Sequence, residues 1–361
     1  MRFGIVGFAF LLLVSSAVDA SPEKLASVLA EAVAEGGEHV GFSLHVVTAE
    51  DSYGVASGMA TPEGTLLTDG HMFRIASITK SYVAATVLRL VEIGTFDLKA
   101  PITTMIDPVF DEVLVSDGYD TSVITLKHVL SHTAGLYDHA QSKNFIDAIF
   151  AKPTHVWTRR EQVSSGVEWG DPVGTPGEKF FYSDTGYVLL GHMIERATGK
   201  ALPVAVRSLL QFEKNDLKET AWERGDALAV PEGKRVHQFM AGQDTYNWDP
   251  SVDLYGGGGL VASTRDVARY YSLLLGGKVF EDKATLSKML SHNGLPEASP
   301  YRLGIFEQTY DGIHVYEHGG FWGTLVFYEP SSSVAIAGAA LQQKDYPKLK
   351  KAMVNFLKSI K

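Results

Sequence analysis

Cysteine is absent from all 361 residues, so disulfides, thiolate metal sites, iron–sulfur clusters and a cysteine nucleophile are excluded together. Basic runs are absent too. The 32 Lys and Arg stand against 42 Asp and Glu, a net charge of −10, whereas a nucleic-acid partner requires a basic surface. There is no H-E-x-x-H, the 12 histidines form no closely spaced ligand group, and no G-K-[ST] completes a phosphate loop. Neither a metal nor another cofactor is therefore expected. Internal repeats, low-complexity tracts and flexible linkers are lacking as well. What is present is a globular composition: 45% of residues are hydrophobic and the mean hydropathy is +0.01, enough for a sizeable core.

The first twenty residues stand apart. Arg2, an apolar run over 4–14 and Val18-Asp19-Ala20 before Ser21 predict a secretory signal peptide, residues 1–20. The run is shorter than the ~20 residues of a spanning helix, and no later stretch is long enough, so no stable membrane span is expected after processing. The processed chain is expected to be periplasmic or secreted. Removing Arg2 and Asp19 takes away one charge of each sign.

Ser21-Pro22 predicts a capped helix with Leu25, Val28, Leu29 and Val33 as its apolar stripe, stopped by Gly36-Gly37. Strand patterns follow at 40–47 and 52–56. A helix over 77–93 is apolar nearly all round and is expected to be central and buried. From 101 to about 255 the signals are helical or irregular. Ser263 reads as the cap of a further helix, with Asp266 in capping-box register. Short β-like runs at 301–306, 313–316, 324–328 and 334–339 precede a closing amphipathic helix over 346–360. The length suggests two or three domains, but strands at both ends and helices between them predict an α+β fold. Its sheet region would comprise 21–100 and 255–361 around a mainly helical region at 101–254, forming one catalytic unit.

Three groups of residues can carry chemistry. In Ser77-Ile78-Thr79-Lys80 the i and i+3 positions share a helix face, and the helix N-terminus favours a developing oxyanion. Ser77 is thus a candidate nucleophile activated by Lys80. An N-cap serine with a surface lysine reads the same way, as Ser21-Pro22-Glu23-Lys24 shows. Tyr182-Ser183-Asp184 offers a phenol for proton relay and a polar side chain to hold the lysine or the substrate. It also reads as a turn capped by Asp184. His318-Gly319-Gly320 ends a strand; its small residues allow close backbone approach, and the Phe321 N–H can pair with that of Ser77 as an oxyanion hole. His318 either orients Tyr182, attracts a substrate carboxylate, or is a satisfied core histidine. The His-Gly-Gly oxyanion loop of α/β-hydrolases fails on order, since no G-x-S-x-G occurs. The glycine run 256–259 reads as a tight passage near the site.

The joint order of Ser77-x-x-Lys80, Tyr182-x-Asp184 and His318-x-Gly320 resembles the serine β-lactamase and penicillin-recognising DD-peptidase family, in its class C-like branch. The stretches 73–77, 130–136, 176–191 and 258–266 resemble it as well, so the likeness covers most of the chain. The resemblance implies an antiparallel sheet flanked by helices plus an all-helical region. It further implies an acyl-enzyme on Ser77, with Lys80 and Tyr182 managing the proton and the Ser77 and Phe321 N–H groups holding the oxyanion.

Two departures concern the substrate. The family usually has Asn at the position of Asp184; a carboxylate there cannot donate, favours a charged Lys80 and shifts base work toward Tyr182. His318 replaces a lysine common in β-lactamases, making the cation for a substrate carboxylate weaker and pH-dependent. The expectation is an exported serine hydrolase acting on a small ester, amide or D-amino-acid peptide. The alternatives are a true β-lactamase or DD-carboxypeptidase, and an inactive relative that binds peptidoglycan or a protein partner.

Overall fold

The computed structural model describes residues 20–35, 41–226 and 228–361. The expected signal peptide, apart from Ala20, and the expected Gly36-Gly37 stop lie outside the described residues. Ser21 Oγ accepts from the Lys24 N–H at 3.3 Å with Pro22 in the first turn, so α1 (Pro22–Ala34) begins where its cap chemistry directs. The hairpin β1 (Phe42–Val47) and β2 (Ser52–Ser57) follows, then β3 (Met72–Arg74). A 3₁₀ turn at Ala76–Ile78 leads into α2 (Thr79–Glu92). The middle of the chain forms α3 (Pro108–Ser116), α4 (Leu126–Leu130), α5 (Lys143–Ala151), α6 (Arg159–Glu168), α7 (Asp184–Thr198) and α8 (Leu202–Leu209). Short strands β4 (Thr220–Trp222), β5 (Phe239–Met240), β6 (Gln243–Asp244) and β7 (Leu260–Ser263) precede α9 (Thr264–Leu275) and α10 (Lys283–Leu290). The chain closes with β8 (Phe306–Tyr310), β9 (Ile313–Gly320), β10 (Thr324–Glu329), β11 (Val334–Ala340) and α11 (Tyr346–Ser359).

The main sheet has the order β2-β1-β11-β10-β9-β8, antiparallel throughout, so both ends of the chain build it and the helices lie between. Every residue of β10 and β11 is buried, because helices cover both faces. Alternation then sorts side chains between two cores. Leu325, Phe327 and Ile336 pack with Leu349, Met353 and Phe356 of α11 and with Leu25 and Leu29 of α1, whereas Val326 and Ala337 join the core around α2, α7 and α9. Among the described residues no helix is long and apolar enough to cross a membrane.

The structure corrects three expectations. The run 301–306 is not a strand. Gly304 turns there at φ +88, so close to α2 that a Cβ would lie 2.2 Å from the Ala84 side chain, and β8 starts only at Phe306. The 77–93 helix is preceded by the 3₁₀ turn, so Ser77 lies outside regular α-helix. A second sheet, β3-β7-β4, was not foreseen, since three- and four-residue strands are too short for a period to register. Within it Ser263 caps α9 by accepting from the Asp266 N–H at 3.1 Å. The Asp266 carboxylate does not complete a capping box but instead holds β4, through the Glu219 N–H at 2.7 Å and Thr220 Oγ1 at 2.9 Å.

Candidate active site

Ser77 follows Ala76, whose φ of +44 is left-handed. For a residue with a Cβ this costs about 1–2 kcal/mol and needs surrounding structure to enforce it. The Gln238 amide supplies part of that. It accepts from the Arg74 N–H at 2.8 Å and donates to Arg74 O at 3.2 Å and to Trp322 O at 3.0 Å, tying β3 to the turn after β9. Thr324 Oγ1 donates to Ile75 O at 3.2 Å from the other side. Ser77 is thereby held half-buried at the mouth of α2, where the helix dipole favours negative charge.

Lys80 is fully buried. Its Nζ donates to Ser77 Oγ at 2.9 Å, to Gly257 O at 2.7 Å and to the Asp184 carboxylate. An ammonium has three donors, and each here has an oxygen acceptor. Asp184 is free to serve because it is not the cap of α7. Ser183 takes that role, accepting from the Gly186 N–H at 3.4 Å, and Asp184 is the first helical residue. The glycine run makes room for this contact, since a Cβ on Gly257 would lie 2.7 Å from Asp184 Oδ1.

Tyr182 lies over this pair, with Lys80 Nζ 4.9 Å from its ring centroid. Burial, followed by the Asp184 charge, holds its phenol well above the ordinary tyrosine range, and the neighbouring Ser77 hydroxyl only partly offsets them. The carboxylate expected to shift base work onto Tyr182 therefore also opposes its ionisation.

His318 is buried with both ring nitrogens engaged: Nδ1–H donates to Gly319 O at 2.9 Å, and Nε2 accepts from the Tyr301 hydroxyl at 3.0 Å. Burial and then the Lys80 charge bring it down to about 3. It is neutral at neutral pH, offers no cation to a substrate carboxylate, and has no hydrogen bond to Tyr182, whose ring centroid is 6.3 Å away. Gly319 and Gly320 admit the protein's own groups rather than only a substrate. A Cβ on Gly319 would lie 2.5 Å from the Tyr346 hydroxyl, and one on Gly320 would lie 2.3 Å from Ile75 O. The β8 register ends at Phe306↔Glu317, so residues 318–320 are nonetheless unpaired on that side of β9. Phe321, 40% exposed, follows them. Among the described residues the N–H groups of Ser77 and Phe321 donate to no carbonyl of the surrounding turns.

Ser77, Tyr182, Asp184, His318 and residues 319–321 line one cavity of about 1020 Å³. Sequence reasoning missed two carboxylates beside it. Asp138 accepts from the Asp184 N–H at 3.0 Å and from Gln141 Nε2 at 2.8 Å; burial and then the Asp184 charge push it up to about 7. Asp253 lines the cavity, accepts from the Trp322 indole N–H at 3.2 Å and is pushed up to about 7 by the same two causes. No spacing could have announced either, since both reach Asp184 only through the fold. Among the described residues no group of three or more His, Asp or Glu is placed to hold a metal.

The β-lactamase family model matches residues 28–355. Esterase EstB of Burkholderia gladioli is 33% identical over 251 residues, 60% of this chain and 60% of its own. An unguisins hydrolase of Aspergillus campestris is 23% identical over 318 residues, 83% of this chain and 58% of its own, so the chain spans less than two thirds of these relatives' length. Among solved structures, a D-stereospecific amidohydrolase from Streptomyces sp. superposes with a TM-score of 0.77 at 25% identity, covering 91% of this chain and 97% of that one. The D-amino acid amidase of Ochrobactrum anthropi SV3 reaches 0.79 at 24% identity over 94% and 98%, a likeness of fold. The matched span takes in every residue of the cavity, and the chain belongs to the β-lactamase family, a family of serine hydrolases.

Proposed function

We propose that the chain is an exported serine hydrolase that forms an acyl-enzyme on Ser77 with a small ester or amide. The observation that carries this reading is the 2.9 Å contact of Lys80 Nζ with Ser77 Oγ at the wall of the cavity. As Ser77 Oγ bonds to the substrate carbonyl carbon, Lys80 passes one of its protons to Asp184 and takes the Ser77 proton on the lone pair thus freed. The carbonyl oxygen takes up the electron pair between the Ser77 and Phe321 N–H groups. Tyr182, which keeps its proton, donates it to the leaving oxygen or nitrogen as that bond breaks, and is reprotonated through Lys80. Water then releases the acid. The similarity to an esterase and to a D-stereospecific amidohydrolase supports this substrate range. A neutral His318 weighs against β-lactams and DD-peptides, whose carboxylate it would have to meet.

The saturated Lys80 favours a second reading, a relative that binds without hydrolysis, because an ammonium with three acceptors has no lone pair for the Ser77 proton. Reaction with a fluorophosphonate probe, followed by mass spectrometry of the labelled peptide, decides between them. Hydrolysis requires the adduct on Ser77 and its loss in Ser77→Ala. An unlabelled wild-type protein or a labelled Ser77→Ala protein would overturn the first reading.

A further inference from the structure

The charges that face the cavity are unequal. Lys80, the cation nearest Ser77, is fully buried behind the wall and already shared among Ser77, Gly257 and Asp184. His318 is neutral. The other cations on the lining, Lys344 and Lys350, sit at the rim beyond Gly319 and Tyr346. Lys350 donates there to the Tyr310 hydroxyl at 2.7 Å, and that hydroxyl in turn donates to Glu317 at 2.6 Å. Two carboxylates, Asp184 and Asp253, therefore face the space beside the nucleophile with no unshared cation between them among the described residues.

Asp253 is the less satisfied of the two. Its Oδ2 takes the Trp322 indole N–H, while its Oδ1 rests against Gly258, where a Cβ would lie 2.1 Å away, and receives no hydrogen bond among the described residues. The carboxyl is pushed up by burial and by Asp184, so its surroundings disfavour the ionised form. A cation bound beside it reverses that penalty, and a substrate carboxylate would add to it. Next to Asp253 the wall turns apolar through Val252, Phe145, Ile149 and Trp322, a surface suited to an uncharged side chain.

We infer that this cavity takes acyl donors carrying a protonated amine on the carbon next to the scissile carbonyl, the α-amino esters and α-amino amides, and that Asp253 receives the ammonium. The assignment rests on the reading of Ser77 as nucleophile, and it makes Asp253 a specificity residue rather than a participant in bond making. Bound in this way, the amine would lie against Asp253, the side chain against the apolar wall, and the carbonyl at Ser77. The handedness of the α-carbon is left to the measurement.

The test compares D- and L-alanine p-nitroanilide with their N-acetyl derivatives, and p-nitrophenyl propionate with the p-nitrophenyl ester of alanine. A charge-assisted contact predicts a preference of about 10- to 100-fold in kcat/KM for the free amine over its acetylated or deaminated counterpart. In Asp253→Asn that preference collapses through KM. In the wild-type protein, 2-phenylethylamine competes with ester hydrolysis and 3-phenylpropanoate does not, a readout independent of any variant. Equal turnover of free and N-acetyl substrates, stronger inhibition by the carboxylate, or an equal fall in kcat for every substrate in Asp253→Asn would each overturn the assignment. Turnover that persists in Ser77→Ala would instead strike the underlying nucleophile reading, so the two failures are distinct.

Discussion

Two serines in this molecule head a hydrogen-bonded chain that ends in a carboxylate. In one, Lys80 joins Ser77 to Asp184. In the other, His45 bridges Ser52 Oγ and Asp69 Oδ2 at 2.9 Å each, with Arg265 on the far oxygen of Asp69 at 3.3 Å. By residue type the Ser52 array is closer to a hydrolytic triad than the Ser77 array is. Their settings differ. Ser77 follows a strained left-handed residue at a helix mouth, beside two uncommitted N–H groups and on the wall of the large cavity. Ser52 is the exposed first residue of the half-buried edge strand β2 and does not line that cavity. The comparison teaches that a candidate nucleophile is distinguished less by its hydrogen-bond partners than by the fixed dipoles and enclosed space where charge would develop.

The largest effect would break or keep this distinction. Ser77→Ala should lose about 1,000-fold or more in ester hydrolysis, while Ser52→Ala stays within about 2-fold of wild type. The reverse ranking, or a fluorophosphonate adduct on Ser52, would make the edge-strand array the active one. Next in size is Asp184→Asn. An amide cannot accept the Lys80 proton, so kcat should fall about 10- to 100-fold. A gain of acylation from a near-silent wild type would favour the non-hydrolytic reading.

The difference between the arrays also marks what a sequence can disclose. Ser77 and Lys80 were legible because i and i+3 meet by local geometry even across the 3₁₀ turn into α2, and the terminal strands because alternation and turn residues are local too. Asp253 and Asp138 were not, since 69 and 46 residues separate them from Asp184, and only the packing of α7 against the glycine run and against the 3₁₀ turn at 139–141 unites them. His45, Ser52 and Asp69 were invisible for the same reason. His318 misled: its motif position implied a pH-dependent cation, but Tyr301 and Phe306, with ring centroids 5.7 and 5.4 Å from its own, bury it and keep it neutral, and they lie on either side of the Gly304 turn that the sequence read as strand.

A smaller pair of effects tests the space around each array. A Cβ on Gly320 would lie 2.3 Å from Ile75 O, on the turn that carries Ser77, and one on Gly54 would lie 2.4 Å from Asp69 Oδ2. Both alanine variants should lose about 1–3 kcal/mol of stability by overpacking. Gly320→Ala should also lower kcat about 10-fold by shifting Phe321 relative to Ser77, whereas Gly54→Ala should leave kcat unchanged. Equal kinetic effects would mean that the cavity is not selectively coupled to the end of β9.

The smallest effect concerns acid. Burial holds His318 at about 3 and His139 at about 4, and pushes His132 well below the ordinary 6.5. Below pH 6.5 the unfolded chain binds protons that the folded chain refuses, so these histidines remove stability as pH falls from 6.5 toward their folded values. Asp138 and Asp253, at about 7, act with the opposite sign. The folded chain holds their protons between about pH 4 and 7, so their contribution declines as pH rises through that window. Asp69 in the edge-strand array is lowered, first by its bond to His45, and its contribution is lost only below the ordinary 3.8. These groups in and around the cavity should therefore respond between pH 4 and 7, and the edge-strand aspartate should enter only in stronger acid. His318→Gln, which keeps an amide in place of the ring, should gain about 2 kcal/mol relative to wild type at pH 5 compared with pH 7.5, about 1.4 kcal/mol for each unit below 6.5. Urea denaturation at the two pH values checks this, and a parallel shift at both would show that His318 titrates normally in the folded protein.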